Sequence, residues 1–457
     1  MRGYNFWSYA PYKPLLHDPA ELYICRVAPD AYSIHFAWLA VGETEYSVFC
    51  RKRHTEHFLL CGTTTETEFD IENLDTDTDY EFYVCGAERK SLVRLARTGK
   101  AVGTVVNYLH PEDEAYAFSG RYLASPSLVR HPDGFLLASM DVFGGGPQNF
   151  TLIFRSDDDG ETWHYVSELM PCFWGKLFIH KGDLYMLACS TEYGDLLIGK
   201  SVDGGKTFSA PVCLLRGSNG KAGKDGVHKN PQNMVIHNGR LYTTLEWGAW
   251  ENPDFLFAAM VMSCDINDDL LVPENWVFSE PKKFEPCAPE IASLPTRTMT
   301  IEGTMVLAPD GKLFNVMRFG GEKCALAYRV DTENLDAPLC YSHCIPFPAN
   351  RSKFMIKFDT TSQKYYSVVS RILDGAPSYS RNLLSLMASS DMQNWSVVCD
   401  LLDYSHCSPD KVGFQYVDFA FEEEDIIYLC RTGMNNAHTF HDSNYSTFHR
   451  IKHFRSL

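Results

Sequence analysis

No apolar run in this 457-residue chain approaches the roughly 20 residues that a membrane-crossing helix needs. The amino-terminal MRGYNFWSYAPYKP lacks the apolar segment of a secretory leader, so a cytoplasmic location is expected. An excess of basic charge is also missing. Lys and Arg number 41 against 58 Asp and Glu, a net charge of −17. That balance argues against nucleic acid as a partner, because phosphate binding needs a basic stripe. It argues equally against adsorption to an anionic membrane. One pocket can still be basic. The 15 cysteines are odd in number and scattered, and no two stand at Cys-x-x-Cys spacing. Neither a zinc site nor a redox motif is indicated, and buried free thiols in a reducing compartment are expected. No metal and no cofactor is expected. Nothing in the sequence sets an oligomeric state.

What is present is aromatic content, 13% of residues, with a moderate 22% charged, which marks a globular chain long enough for two or more domains. One stretch, 121–163, carries a complete structural unit. An apolar run from Pro126 to Val129 meets a turn at Asp133-Gly134. A second run, Phe135 to Met140, ends on a lone acid, Asp141, and a third follows from Phe150 to Phe154. Then comes Ser156-Asp157-Asp158-Asp159-Gly160-Glu161-Thr162-Trp163. In such a hairpin turn Asp158 can accept backbone N–H bonds, Gly160 can take positive φ and Trp163 can pack beneath. The unit reads as four antiparallel strands over roughly 45 residues, the size of one propeller blade.

Residues 1–19 read as an aromatic, Pro-rich lead segment packed on something else. From 20 to 105 short alternating strands separated by polar turns predict a β-sandwich: Glu21–Arg26, Tyr32–Trp38, Glu45–Cys50, Glu68–Glu72 and Tyr80–Cys85. Trp38 reads as a core tryptophan. Leu74 followed by Asp75-Thr-Asp-Thr-Asp-Tyr80 resembles the tyrosine corner of a fibronectin type III domain, a resemblance that implies a spacer or docking module without chemistry.

Over 106–457 the blade unit repeats. Turns at Pro132-Asp-Gly134, Lys181-Gly182, Asn238-Gly239 and Pro309-Asp-Gly311, with weaker ones at Ser362-Gln-Lys364 and Glu422–Asp425, each precede an apolar strand. Six blades are predicted. The later turn recurs fully at Ser201-Val-Asp203-Gly-Gly205-Lys-Thr207-Phe208. Degraded copies stand at Ser263-Cys-Asp265 and Ser389-Ser-Asp391, with Trp395 nearby. The pattern Ser-x-Asp-x-Gly-x-Thr-Trp resembles the Asp-box of bacterial neuraminidases. The resemblance implies an all-β chain with a six-bladed sialidase-like propeller, the Asp-box lying structurally at the blade rim.

In a propeller the first strand of each blade starts, and the second ends, at the face around the central channel. Here the second strands end on Asp141, Cys189 (with Thr191 and Glu192 beyond), Glu246, Arg318, Arg371 and Arg431. The first strands begin at Ser125-Pro126, Trp174-Gly-Lys176, His228-Lys-Asn230, Glu302-Gly303, Arg351-Ser-Lys353 and Tyr416-Val-Asp418. Acids and a histidine thus face arginines and a lysine, which suits an anionic sugar. Arginine binds carboxylate bidentately, and carboxyl groups opposite supply proton transfer or nucleophilic assistance. Trp174, Trp247 and Trp250 could stack on sugar faces. The bland alternative is that these charges pair across the channel and close it, although a channel that only needs filling would take apolar residues.

Sialidases carry Arg-Ile-Pro at the first blade's opening strand, where this chain has Ala124-Ser125-Pro126. Their acid/base Asp lies in a loop that here reads Phe143-Gly-Gly-Gly-Pro-Gln-Asn149, without a carboxylate. The resemblance places Glu302 at the Glu that assists a tyrosine nucleophile, Arg318 at an anchoring arginine and Tyr416 as candidate nucleophile. Three readings stay open. One is an exo-acting glycoside hydrolase on an anionic or sialic-acid-like sugar. Its carboxyl candidates are Asp141, Glu246 and Glu302, and its contacts are Arg318, Arg371, Arg431, Lys353, Lys176, Glu192 and Asp418. Another is a uronate lyase with His228 and Tyr193 or Tyr416 as base and acid, and Arg318 or Arg371 as neutraliser. The last is a non-catalytic glycan-binding propeller. His441 and Asp442 could reach the pocket, while the final strand from Ser446 is expected to close the ring on the first blade.

Overall fold

In the computed structural model the described residues are 7–9, 22–40, 42–145, 149–218, 224–320, 324–347, 349 and 351–457. They are all-β apart from two 3-10 turns. The lead segment lies outside the described residues except Trp7–Tyr9, as do Glu21 and positions 146–148 of the glycine-rich loop. Trp7 is buried and donates from Nε1 to the Pro171 carbonyl at 2.8 Å.

Two sheets come first. Ile24–Pro29, Ile34–Trp38 and Glu68–Ile71 form one; Leu59–Thr64, Tyr46–Lys52, Asp79–Cys85 and Arg94–Arg97, in that order, form the other. Alternation drives them together: inward residues such as Phe36, Trp38, Val48, Phe82 and Val84 are buried in one cluster. Tyr80 OH accepts the Asp75 N–H at 3.0 Å, a corner that fixes the entry to its strand. Two strands lie outside the expected set: Leu59–Thr64, whose residues are largely exposed and leave no apolar alternation, and Arg94–Arg97, where burial of Arg94 rests on an ion pair with Asp113.

Beyond them lie six antiparallel sheets of four principal strands each. The first runs Tyr122–Arg130, Leu136–Phe143, Phe150–Ser156, His164–Leu169. The second runs Phe173–His180, Asp183–Cys189, Leu196–Ser201, Val212–Leu215. The third has a broken inner edge, Gly226–His228 and Val235–His237, then Arg240–Gly248, Phe257–Asp265 and Trp276–Phe278. The fourth is Thr300–Leu307, Leu313–Phe319, Cys324–Arg329, Cys340–Pro346; the fifth is Lys357–Asp359, Lys364–Ser370, Leu383–Ser389, Ser396–Asp403. The sixth is Gly413–Glu422, Asp425–Gly433, Tyr445–Ile451 and, from before the first sheet, Thr104–Tyr108. Each sheet is apolar on both faces, so each packs against two neighbours. Separate buried clusters join first to second, second to third, third to fourth, fourth to fifth, fifth to sixth and sixth to first. The sheets therefore close into a propeller-like ring. The closure differs from the expected one. The strand Tyr445–Ile451 stays within the sixth sheet and pairs with Thr104–Tyr108, so the ring is latched by an early strand and not by the last strand joining the first sheet.

The rim turns hold themselves. Asp158 Oδ1 accepts the Thr162 N–H at 2.9 Å, Thr162 Oγ1 donates to Oδ2 at 2.6 Å, and the Gly160 N–H donates to Ser156 Oγ at 2.8 Å. Asp203, Thr207, Gly205 and Ser201 repeat the same bonds. At the fourth copy Asp391 accepts from the Gln393 and Asn394 N–H groups at 2.8 Å, and Met392 takes the positive φ of 64°.

Candidate active site

Four inner strands carry the same irregularity near their start. The register shifts between Ala124 and Ser127, between Phe173 and Lys176, between Ile301 and Thr304, and between Gln415 and Asp418. In each, two residues oppose one, and the first of the two is left-handed: Ser125 at φ 50°, Trp174 at 55°, Glu302 at 59° and Tyr416 at 57°. A bulge of this kind re-aims a side chain. A non-glycine residue in the left-handed region costs about 1–3 kcal/mol and persists only where surrounding structure enforces it, a pattern that concentrates at functional sites. The residue before each bulge pairs across the ladder with Asp141, Cys189, Arg318 or Arg431, and His228 pairs with Glu246. In five of the six sheets the two sets of positions read from the sequence are therefore cross-strand neighbours.

Around Tyr416 the groups converge. Arg318 Nη1 donates to Glu302 Oε2 at 2.6 Å and to Tyr416 OH at 3.1 Å. The guanidinium of Arg431 lies 5.1 Å from the Tyr416 ring centroid, and that of Arg381 lies 5.6 Å from it. All three arginines are tightly enclosed, and the Nε of each is buried without a hydrogen-bond partner among the described residues. Burial works against the charge of Arg318, but Glu302 and Tyr416 more than offset it, and its pKa stands above the usual value. Burial lowers Arg381 to about 10 and also lowers Arg431. Burial opposes the Glu302 charge too, yet Arg318 holds its carboxyl below the usual range. His441 stands 6.5 Å from Tyr416, ring to ring. Its pKa is lowered to about 4 by Arg431 and by burial.

A second group adjoins the first. His228 Nδ1 is 2.7 Å from Glu246 Oε2, and Glu246 Oε1 accepts the Gly303 N–H at 3.1 Å. The imidazole is clamped between Trp174 at 4.3 Å and Phe257 at 4.9 Å. With Nδ1 held by a buried carboxyl, Nε2 has no bonding partner among the described residues. His228 is near enough to Glu302 to help hold it ionised. Glu192 is half-buried, which raises its pKa, while His228 partly opposes the shift.

Other candidates stand elsewhere. Asp141 is fully buried and its oxygens are taken: Oδ1 accepts from Thr151 at 2.6 Å and Oδ2 from the Trp174 N–H at 2.8 Å. Burial pushes its pKa up to about 7. It pins the Trp174 bulge and offers no free oxygen to a sugar. Arg371 does not join the cluster, because its Nη2 bridges both oxygens of Asp400, on the outermost strand of the fifth sheet, at 2.8 Å. Arg381 takes the place that the sequence reading gave to Arg371. It precedes the third strand of its sheet, so a rule based on second-strand ends overlooks it. Trp247 points to the opposite side of its strand from Glu246 and packs between the second and third sheets. Trp250 is exposed. Lys176, Lys353 and Asp418 lie buried beneath the mouth, Lys176 paired with Asp418. Tyr193 is buried, and its OH accepts the Trp250 N–H at 3.3 Å.

No family model and no curated protein matches this sequence. Among solved structures, an α-L-arabinanase of Penicillium chrysogenum complexed with arabinobiose is similar at a TM-score of 0.51 and 14% identity, covering 78% of this chain and 99% of its own. An ulvan lyase, described as a new family of polysaccharide lyase, aligns at 0.47 and 12% over 95% of both chains. A Trypanosoma rangeli sialidase in complex with sialic acid aligns at 0.48 and 15% over 76% of this chain and 57% of its own. The arabinanase likeness is one of fold.

Proposed function

We propose that this protein is a glycoside hydrolase that removes an anionic sugar from a chain end. The observation that carries the reading is the trio Arg318, Arg381 and Arg431 around Tyr416, each with a buried Nε unpaired among the described residues. Buried donors without partners are rare and costly, and Glu302 beside Arg318 with Asp442 near Arg431 balances only two of the three guanidinium charges, which leaves room for the charge of a further carboxylate. A sugar carboxylate supplies it, with the planar geometry that arginine reads best.

The same groups account for the chemistry. A carboxylate next to the anomeric carbon repels an anionic nucleophile, so a neutral phenol assisted by a base is favoured. Tyr416 attacks the anomeric carbon and its proton passes to Glu302, while Arg318 keeps both oxygens in place. The glycosidic bond breaks, and the leaving oxygen takes a proton from Glu192, whose raised pKa suits an acid. Water, deprotonated by Glu192, then releases the sugar, and Tyr416 recovers its proton. The propeller-like fold shared with an arabinanase is consistent with a sugar substrate. In this reading the ring over 106–457 is a six-bladed propeller and residues 20–105 are a fibronectin type III-like domain. The six joined sheets and the three- and four-stranded pair support those assignments.

The His228–Glu246 pair favours a second reading. An imidazole oriented by a carboxyl, with Nε2 open, is a competent base, and beside three arginines it could remove the proton α to a uronate carboxylate. One screen separates the two. The purified protein is incubated with aryl glycosides of acidic sugars and with acidic oligosaccharides, reading released sugar and the ultraviolet absorbance of an unsaturated product. Release without absorbance is expected. Absorbance that disappears in His228→Asn would transfer the assignment to elimination. Binding without either product would remove the enzyme reading.

A further inference from the structure

Below the mouth, the inner strands bring together a set of charges that the proposed reaction does not use. Lys176, Lys229 and Lys353 are buried and Lys357 half-buried. Lys353 Nζ donates to the Val417 carbonyl at 3.4 Å, Lys176 Nζ to Asp418 Oδ2, and Lys357 Nζ to the Phe419 carbonyl. Three ammonium groups from two sheets thus converge on three successive residues of a third. Lys229 completes the set, bonded among the described residues to the Asn230 carbonyl at 3.1 Å. Glu246 and Glu302 flank the set, but each is already engaged, by His228 and by Arg318. With the Glu302 charge met by Arg318, Asp418 and Glu246 are left among the described residues to balance four ammonium groups.

Donor arithmetic points the same way. An ammonium group has three donors, and each of these lysines makes one hydrogen bond to the described residues. The buried acceptors without a partner at neighbouring positions in the sequence are fewer: Asp418 Oδ1, Asn230 Oδ1, Gln232 Oε1 and Ser352 Oγ. Water can satisfy spare donors but cannot offset the charge. Unpaired buried charge is strongly disfavoured, and burial lowers Lys353 to about 7 and Lys229 and Lys357 to about 8.

We propose that the axis of the ring holds a small inorganic anion of halide size, bound by Lys176, Lys229, Lys353 and Lys357. The site is distinct from the arginine cluster and independent of the reaction assigned above. It is tested on the full chain by thermal unfolding at constant ionic strength, with sodium chloride or bromide replaced stepwise by sodium gluconate, whose anion is too large to enter. A saturable rise in Tm with halide, absent in gluconate and requiring at least about tenfold more halide in Lys353→Met (about 1.4 kcal/mol), is expected. A crystal grown in bromide should show an anomalous peak among the four Nζ atoms, and this decides the matter if Lys353→Met does not fold. Equal stabilisation by gluconate, or bromide found only at Arg381 and Arg431, would overturn the proposal.

Discussion

Glu302 is held ionised by Arg318 and touches the tyrosine it is proposed to serve. Replacing Glu302 by Gln, or Tyr416 by Phe, should therefore lower kcat by about 10²–10⁴-fold, the range for losing one proton-transfer or nucleophilic group. Affinity for the acidic sugar should change far less, since the arginines remain; equilibrium binding beside turnover measures both. A variant that loses binding and turnover equally would show a scaffolding role instead. Much of this group was legible in the sequence. A charge that interrupts an apolar strand at its mouth end, as at Glu246, Arg318 and Arg431, has no packing reason to be there. Arg381 was not legible, because it stands at the end of an irregular connection where periodicity gives no direction. Asp141 was legible as an odd buried acid, yet only the structure shows its oxygens spent on Thr151 and the Trp174 backbone.

The bulged inner strands decide which side chains reach the mouth. Gly303 sits inside one of them, and a Cβ there would overlap Asn315 Oδ1 and press on Met317 Sδ. Gly303→Ala should destabilise by roughly 2–3 kcal/mol through overpacking, read as a lower denaturation midpoint with activity falling more than stability, because Glu302 is displaced as well. The strand that receives the latch makes a pH prediction. His449, partly buried and stacked on Tyr428 at 4.6 Å with Thr447 Oγ1 at 2.8 Å from Nε2, has its pKa lowered from 6.5 to about 3 by desolvation. The unfolded chain takes up this proton first, so stability present above pH 6.5 is lost as pH falls toward 3. His449→Phe, which keeps the stack, should flatten that slope in denaturant titrations; an unchanged slope would assign acid lability elsewhere. Strand type was legible wherever alternation was strong. Bulges were not, since Trp174-Gly and Glu302-Gly look like ordinary strand starts until the ladder is seen.

For the whole molecule, the sandwich and the ring share cores. Tyr108, Met434 and Tyr445 of the sixth sheet's surroundings are buried in the sandwich cluster, and Tyr23 and Cys25 in the cluster joining the sixth and first sheets. Calorimetry should thus show one cooperative unfolding transition; two well-separated transitions would contradict that coupling. The repeat that organises the ring was legible because each sheet re-uses one turn-and-strand pattern. The latch was not, because Thr104–Tyr108 lies outside the repeat and pairs with a strand more than 300 positions later.

The central claim is that three enclosed arginines read a sugar carboxylate. Its most direct test compares kcat/KM for an aryl glycoside of an acidic sugar with that for its neutral, carboxyl-reduced counterpart, in the wild-type protein and in Arg381→Met. The account expects the acidic substrate to be preferred by at least about a hundredfold, near 2.7 kcal/mol of transition-state binding, and the preference to shrink by about tenfold or more in the variant. Equal turnover of both substrates by the wild-type protein would contradict it.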